Sequence, residues 1–319
     1  MNVRNGLAGG LRMMKARLAG RAVPLAVSWA VTGRCNLRCL YCDIWRKEFK
    51  ELTTREALKV IDEMKEAGTR RISLTGGEPL LREDIGRIIR HAKSRSMCVT
   101  MNSNGWLVKK RLGDILGLDG LAISIDGPRE VHDKQRGKGS YDKAMDAAIS
   151  GRDAGLDVSF LAVVTRHSVG RLEELIETAN ALGIGILLQP VEHYAHSGKA
   201  TTSLLPSRAS LENSIRMLMN ERSILNSGAC LRNFMEPERL SHRNCAAGRI
   251  FCRIDPDGSM YPCGRTSNRK DPPNVRGGFL KGFRELEPPL CGGCYCAGLA
   301  EANMLFRLDA SSIRKALGI

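Results

Sequence analysis

The chain has 319 residues, 43% hydrophobic and 26% charged, which excludes wholesale disorder and allows a barrel-sized core with a small appended unit. Its 49 basic and 34 acidic side chains leave a net charge of +15, scattered rather than blocked, which suits an anionic partner or simply a solvated basic surface. Eleven cysteines in so long a chain, most of them clustered near its two ends, exclude a small secreted disulfide scaffold and point to metal ligands in a reducing cytoplasm.

Leu7, Leu11, Met14 and Leu18 recur on one helical face with Arg12, Lys15 and Arg17 beside it, so residues 1–24 are expected to form a basic amphipathic helix. It is expected to cap the bottom of the domain; contact with an anionic membrane surface is the alternative. The apolar stretch Ala22 to Val31, interrupted by Pro24, is too short to span a bilayer, which takes about 20 residues. It leads directly into a cysteine loop and reads as a core strand.

From Leu25 to Pro190, short apolar runs alternate with longer stretches of helical period. Strands are expected at Ala26–Thr32, Arg71–Leu74, Cys98–Met101, Leu121–Ile125, Asp157–Val164 and Gly185–Gln189. Helices are expected between them at Thr54–Ala67, Glu83–Ser94, Leu107–Leu116, Tyr141–Ala154 and Val169–Leu182. This alternation implies an α/β fold of parallel units with right-handed crossovers, either an open sheet or a partial barrel, with ligands gathered at the C-terminal strand ends.

The unusual residues fall at those ends. Cys35, Cys39 and Cys42 follow the first strand at C-x3-C-x2-C spacing. Three soft thiolates with no fourth ligand close by favour an iron–sulfur cluster with one open iron over a closed structural zinc site. The next loops are Thr75-Gly-Gly-Glu-Pro79, Asn102-Ser-Asn-Gly105, Ser124-Ile-Asp-Gly-Pro128, Thr165-Arg-His-Ser168 and Gln189-Pro-Val-Glu-His-Tyr194. Each could be an ordinary turn, but six polar loops on one rim, one carrying three thiols, read as a site.

Beyond the sixth strand, Leu204 to Leu225 reads as a further helix and residues 226–241 as an irregular link. A hairpin is expected from Ile250–Ile254 through the turn Asp255-Pro-Asp-Gly258 to Ser259–Pro262. Cys245 precedes it, Cys263 ends it, and Cys291, Cys294 and Cys296 follow ahead of a last helix near Leu299–Leu308. The expected organisation is a helix at 1–24, a barrel with trailing helix at 25–225 and a cysteine-bearing unit at 226–319.

The cysteine loop, with Tyr41 before its third cysteine, and Gly76-Gly-Glu-Pro79 after the second strand resemble the radical S-adenosylmethionine (SAM) superfamily. That resemblance implies a partial (β/α)6 TIM-like barrel and a [4Fe–4S] cluster on Cys35, Cys39 and Cys42. SAM chelates the open iron of such a cluster, and one electron splits it to methionine and a 5′-deoxyadenosyl radical that abstracts hydrogen from substrate. It also implies SAM contacts at Gly76, Gly77 and Glu78 for the methionine amino end, Ser124, Asp126 and Asn104 for the ribose or methionine moiety, Tyr41 and Gln189 for the adenine, and Arg136 for the carboxylate.

The C-terminal cysteines resemble the SPASM/twitch extension of that superfamily, a small β-hairpin/helix iron–sulfur unit. The shortened pattern implies one auxiliary [4Fe–4S] cluster on Cys245, Cys263, Cys291 and Cys294, with Cys296 competing with Cys294; Cys98, Cys230 and Cys252 read as packing or bystander thiols.

An auxiliary cluster would accept the electron left by an oxidative reaction. The expected substrate is a small molecule or lipid precursor, with a peptide as the alternative, because peptide-modifying relatives often carry an N-terminal recognition domain and only 34 residues precede Cys35. Substrate contacts are expected from Thr165, Arg166, His167, Glu192, His193, Tyr194 and His196, and electrons from an acidic flavodoxin or ferredoxin. The rival class is a non-catalytic metal-cluster protein binding nucleic acid. An aromatic content of 5% weakens base stacking, and the Gly76–Pro79 motif has no part in that reading.

Overall fold

Six apolar segments form parallel strands that pair in chain order: β1 (Ala26–Thr32), β2 (Arg71–Gly76), β3 (Cys98–Ser103), β4 (Gly120–Ser124), β5 (Val158–Val164) and β6 (Gly185–Pro190). The computed structural model describes residues 22–192, 201–240, 245–266 and 270–317; the amphipathic helix expected at the N-terminus, and His193, Tyr194 and His196, lie outside the described residues. The alternation in β5 shows how the sheet is used. Val158, Phe160, Ala162 and Val164 are buried, while Ser159, Leu161 and Val163 between them are half-exposed. Side chains alternate faces with period two, so one face is sealed and the other looks into a partly open interior.

Helices seal the outer face: α1 (Thr54–Glu66), α2 (Ile85–Ser94), α3 (Leu112–Ile115), α4 (Arg129–Arg136), α5 (Ser140–Asp153) and α6 (Leu172–Leu182). Their apolar stripes, such as Leu172, Leu175, Ile176 and Ala179 on α6, share one core with Phe160, Ile186 and Leu188 of the strands. A capping box starts α1: the Glu56 amide donates to the Thr53 hydroxyl at 3.3 Å, and the Thr53 amide donates to the Glu56 carboxylate at 2.8 Å. This is the partial TIM-like barrel that the family resemblance implies, one of the two arrangements the alternation allowed.

Several elements differ from expectation. The helix expected over 107–116 is reduced to α3, because the Arg111 guanidinium reaches back to the carbonyls of Leu80 and Arg82 and holds the preceding turns in place. The Asp126–Pro128 turn starts a helix that was not foreseen, α4. In the stretch read as irregular, α9 (Gly228–Met235) forms, following α7 (Thr201–Leu204) and α8 (Arg208–Leu218). Ser227 caps α9 by accepting from the Cys230 amide at 3.1 Å, and Leu231 and Phe234 are buried, so tertiary packing stabilises a helix whose local pattern is weak.

The hairpin forms as expected from β7 (Phe251–Ile254) and β8 (Met260–Tyr261). β7 pairs in parallel with β1, Ala26 opposite Phe251 and Trp29 opposite Ile254. The C-terminal segment therefore continues the barrel sheet, in the order β6-β5-β4-β3-β2-β1-β7-β8. It ends in α10 (Phe279–Arg284), α11 (Ala297–Phe306) and α12 (Ala310–Leu317). Among the described residues no helix is long and apolar enough to cross a membrane.

Candidate active site

The loop that carries Cys35, Cys39 and Cys42 is fixed from below by the chain that follows β2. The Gly77 amide donates to the Thr32 carbonyl and the Glu78 amide to the Arg34 carbonyl, both at 2.8 Å, extending the β1–β2 pairing to the edge of the cysteine loop. The approach needs two residues without side chains. A Cβ on Gly77 would overlap the Arg34 carbonyl, and one on Gly76, whose φ is +127°, would overlap that of Thr32.

Glu78 is wholly buried, and its carboxylate accepts from three donors: the Leu80 amide at 3.2 Å, the Ser103 hydroxyl at 2.9 Å and the Asn104 amide at 2.8 Å. Burial pushes its pKa up to about 7 against those bonds. Glu78 therefore latches the β2 loop to the β3 loop. The Asn104 side-chain amide in turn donates to Asn36 Oδ1 at 2.8 Å and lies 4.0 Å from the Cys35 sulfur, which also accepts from the Leu37 amide at 3.4 Å.

The far side of the loop rests on a buried polar cluster. Arg136 on α4 donates from Nε to Asp126 Oδ2 at 2.8 Å and from Nη2 to Oδ1 at 2.9 Å. The Tyr41 hydroxyl donates to Oδ2 at 2.8 Å and the Val163 amide to Oδ1 at 3.1 Å, so the Asp126 carboxylate accepts four bonds. Burial is the largest single influence and would raise the Asp126 carboxyl, but the Arg136 charge together with the hydrogen bonds from Arg136 and Tyr41 outweighs it and holds the pKa below the usual range. The Arg136 guanidinium lies over the Tyr41 ring, and the Leu40 amide donates to the Gln135 carbonyl at 2.9 Å. His132 completes the cluster, accepting the Asp126 amide at Nδ1 (3.1 Å); burial lowers its pKa to about 4.

The three thiols sit close enough that a charge on Cys35 or Cys42 raises the pKa of Cys39, which burial pushes up to about 12. Burial likewise raises Cys35 and Cys42. Three thiols that ionise poorly on their own and share one loop suit a soft metal centre, whose positive charge deprotonates its ligands.

The Radical SAM superfamily domain matches residues 29–179. Mycofactocin maturase MftC of Mycolicibacterium smegmatis is 28% identical over 320 residues, covering 91% of this chain and 80% of the relative. PqqA peptide cyclase of Rhodopseudomonas palustris is 30% identical over 271 residues, covering 80% of this chain and 72% of the relative. The chain belongs to the radical SAM superfamily. In fold it is similar to Streptococcus suis SuiB, solved bound to precursor peptide SuiA, with a TM-score of 0.71 at 17% identity over 91% of this chain and 70% of that one.

Radical SAM enzymes use a [4Fe–4S] cluster with SAM, and the resemblance to the maturases extends to auxiliary clusters. The donor set fits the first of these: three thiols, a glycine cradle beneath them and a buried Arg136 charge behind. Of the other residues expected to contact SAM, Ser124 closes β4 next to Asp126 and is buried, and Gln189 is half-exposed opposite Val163 on the interior face. Asp126, Arg136 and the Tyr41 hydroxyl are joined to one another.

Among the expected substrate contacts, Thr165 is buried at the end of β5, where its hydroxyl accepts the His167 amide at 3.2 Å. The Arg166 amide holds the Leu204 carbonyl of α7 at 2.8 Å. Glu192, just past β6, accepts the Tyr295 amide at 3.2 Å and pairs with Arg265 at 3.5 Å, while Arg265 also donates to the Gly293 carbonyl. The rim of β6 is thus tied to both C-terminal cysteine segments.

Those segments bring their thiols into mutual electrostatic reach: Cys263 feels Cys245 and Cys291, and Cys294 feels Cys296 and Cys245. The buried Asn303 of α11 orients Cys245, accepting the Ala246 amide at 2.6 Å and pointing its own amide at the sulfur at 3.7 Å. Cys252, its thiol pushed well up by burial alone, lies in β7 among apolar neighbours, and Cys230 is buried in α9. Sequence reasoning missed His132 and Asn303. His132 was legible in principle, since it stands four residues before Arg136 on one helix face.

Proposed function

We propose that the substrate is a peptide, and that the chain is a radical SAM maturase performing an oxidative modification on it. Similarity to the mycofactocin maturase and to PqqA peptide cyclase, spread over most of both chains, carries this reading. It favours the peptide alternative over the small-molecule or lipid precursor expected from the N-terminal length. The SuiB likeness, at 17% identity, supports the barrel fold.

In this reading Cys35, Cys39 and Cys42 hold the catalytic cluster, and Cys245, Cys263, Cys291 and Cys294 hold one auxiliary [4Fe–4S] cluster. The bound cluster and SAM supply a 5′-deoxyadenosyl radical when one electron is delivered. The protein's part is positional. Gly76 and Gly77 bring the β2 loop against the cysteine loop, Glu78 aligns Asn104 beside Cys35, and the Asp126–Arg136 pair fixes Tyr41. Ser124 and Gln189, on the interior face, are available to orient SAM, and Thr165, Arg166, His167 and Glu192 border the place a substrate would occupy. The auxiliary thiols, tied to the β6 rim through Glu192, would receive the second electron of an oxidation. An acidic flavodoxin or ferredoxin supplies the first, in a reducing cytoplasm.

The test is anaerobic incubation of cluster-reconstituted protein with SAM, reductant and synthetic peptides encoded beside its gene. The proposal expects a peptide lighter by two hydrogen atoms, formed with 5′-deoxyadenosine. Unchanged peptides, with hydrogen abstracted from a small molecule or lipid instead, would sink the peptide reading.

A further inference from the structure

We propose that the exposed basic face on the outer side of the cysteine loop is the docking surface for an acidic one-electron carrier protein. Between Arg34 and Lys50 the chain carries five basic side chains (Arg34, Arg38, Arg46, Lys47, Lys50) against two acidic ones, Asp43 and Glu48. The side chains of Arg34 and Arg46 are 59% and 64% exposed. Trp45 stands among them, with the Arg38 guanidinium 5.0 Å and the Arg46 guanidinium 4.4 Å from its ring centre. Beside it lies a concavity of about 440 Å³ lined by Gly33, Arg34, Trp45, Lys47 and Phe49 together with Glu48 and Glu51.

The patch is coupled to the metal-ligating loop. The Trp45 indole N–H donates to the carbonyl of Cys42 at 3.0 Å, and Cys42 is itself only partly buried. Some of the charge is already spent, since Arg46 pairs with Asp43 at 3.1 Å and Arg34 approaches Glu51 at 3.9 Å. With Glu51 included, the face still carries five basic side chains against three acidic ones, and exposed pairs of this kind are worth little and rearrange readily.

Two requirements select the occupant. The cluster on Cys35, Cys39 and Cys42 needs one electron from outside the chain. A protein delivering it must approach a ligand of that cluster, and this face is joined to one by a hydrogen bond. An acidic partner is matched in charge, and an indole held by guanidinium groups over its ring gives a flat, rigid contact at low entropic cost. The step is a pure electron transfer: the reduced carrier loses one electron, the cluster gains it, and no bond or proton moves. The inference rests on superfamily membership and not on the nature of the substrate.

The test compares cluster-reconstituted wild type with Arg46→Glu/Lys47→Glu, two positions outside the cysteine loop, using a recombinant flavodoxin and a [2Fe–2S] ferredoxin as probes. Binding is measured by titration calorimetry, and SAM cleavage without peptide is driven either by the carrier or by dithionite. The variant is expected to raise the carrier Kd by about tenfold or more. Its carrier-driven 5′-deoxyadenosine formation should fall in step, while iron content and dithionite-driven cleavage stay at wild-type levels. Raising NaCl should weaken wild-type binding more than binding of the variant.

Unchanged Kd and carrier-driven rate would overturn the proposal. So would an equal loss of dithionite-driven cleavage, which would make the patch a support for the cluster. Loss of binding to anionic vesicles or to the substrate peptide, with carrier binding intact, would assign the face to that partner instead. A peptide that is never modified leaves all these readouts intact, so failure of the peptide reading is separable.

Discussion

Arg136 grips Asp126 through two hydrogen bonds of 2.8 and 2.9 Å, and the same carboxylate also accepts from the Tyr41 hydroxyl and the Val163 amide. One ion pair, ten residues apart on the chain, therefore supports the cysteine loop from the β4 and β5 rims. A bidentate guanidinium–carboxylate pair is rigid, and breaking one half of a buried pair leaves an uncompensated charge.

Arg136→Met is expected to lower the unfolding free energy by about 3–5 kcal/mol, because Asp126 is left charged and buried. The double variant Arg136→Met/Asp126→Leu should recover a good part of that loss, because it removes both charges. Urea denaturation of the two variants checks this. A double variant as unstable as the single one would mean that the cost lies in packing around α4 and not in the charge.

Gly77→Ala should separate the β2 loop from the cysteine loop. Its Cβ would overlap the Arg34 carbonyl, which is backbone and cannot swing away, so a destabilisation of about 1–3 kcal/mol and reduced iron retention are expected. Gly113→Ala on α3 is the control, since nothing lies within 4 Å of its added carbon. Thermal unfolding and iron assay of both proteins test the pair, and equal behaviour would remove the cradle argument.

How far these relationships were legible in the sequence depends on what fixes them. The strands were legible because each needs an apolar face beneath a helix, and that face writes a period of two into β5. The rim was legible because Gly76, Asn104 and Asp126 are residue types that strands and helix interiors avoid, and because Cys35, Cys39 and Cys42 crowd three thiols into one short loop. Partner choice was not. Arg136, expected to meet the SAM carboxylate, is held by Asp126, and the Glu78 carboxylate turns inward to the Asn104 amide. A polar side chain takes the partner that tertiary structure brings near, and sequence spacing does not encode that. α9 was hidden for the same reason, since the burial of Leu231 and Phe234 decides it.

Stability should depend on pH through His132. Its folded pKa, lowered by burial to about 4, lies below the ordinary histidine value, so between about 6.5 and 4 the unfolded chain binds the extra proton. Stability from this residue is full above that window and is lost as pH falls through it, by about 2 kcal/mol between pH 6.5 and 5. Denaturation of wild type and His132→Gln across that range should show a steeper acid limb in wild type. Parallel limbs would mean that other groups dominate.

The auxiliary site predicts a division of iron. Replacing Cys263 and Cys294 with Ala should remove about half the iron and sulfide of the reconstituted protein, since each [4Fe–4S] cluster takes four thiolates or three and SAM. SAM cleavage should persist while turnover of substrate is lost. Iron content unchanged by both replacements would move the site elsewhere, and Cys296→Ala tests the competing ligand.

The central claim is that the loop after β1, and no other part of the chain, holds the cluster that cleaves SAM. The direct measurement is 5′-deoxyadenosine formed under dithionite by anaerobically reconstituted wild type and by Cys39→Ala, with iron and sulfide determined on the same samples. Wild type is expected to cleave SAM, while Cys39→Ala forms no 5′-deoxyadenosine yet keeps the iron of the auxiliary site. Cleavage by Cys39→Ala at a rate near wild type would contradict the account.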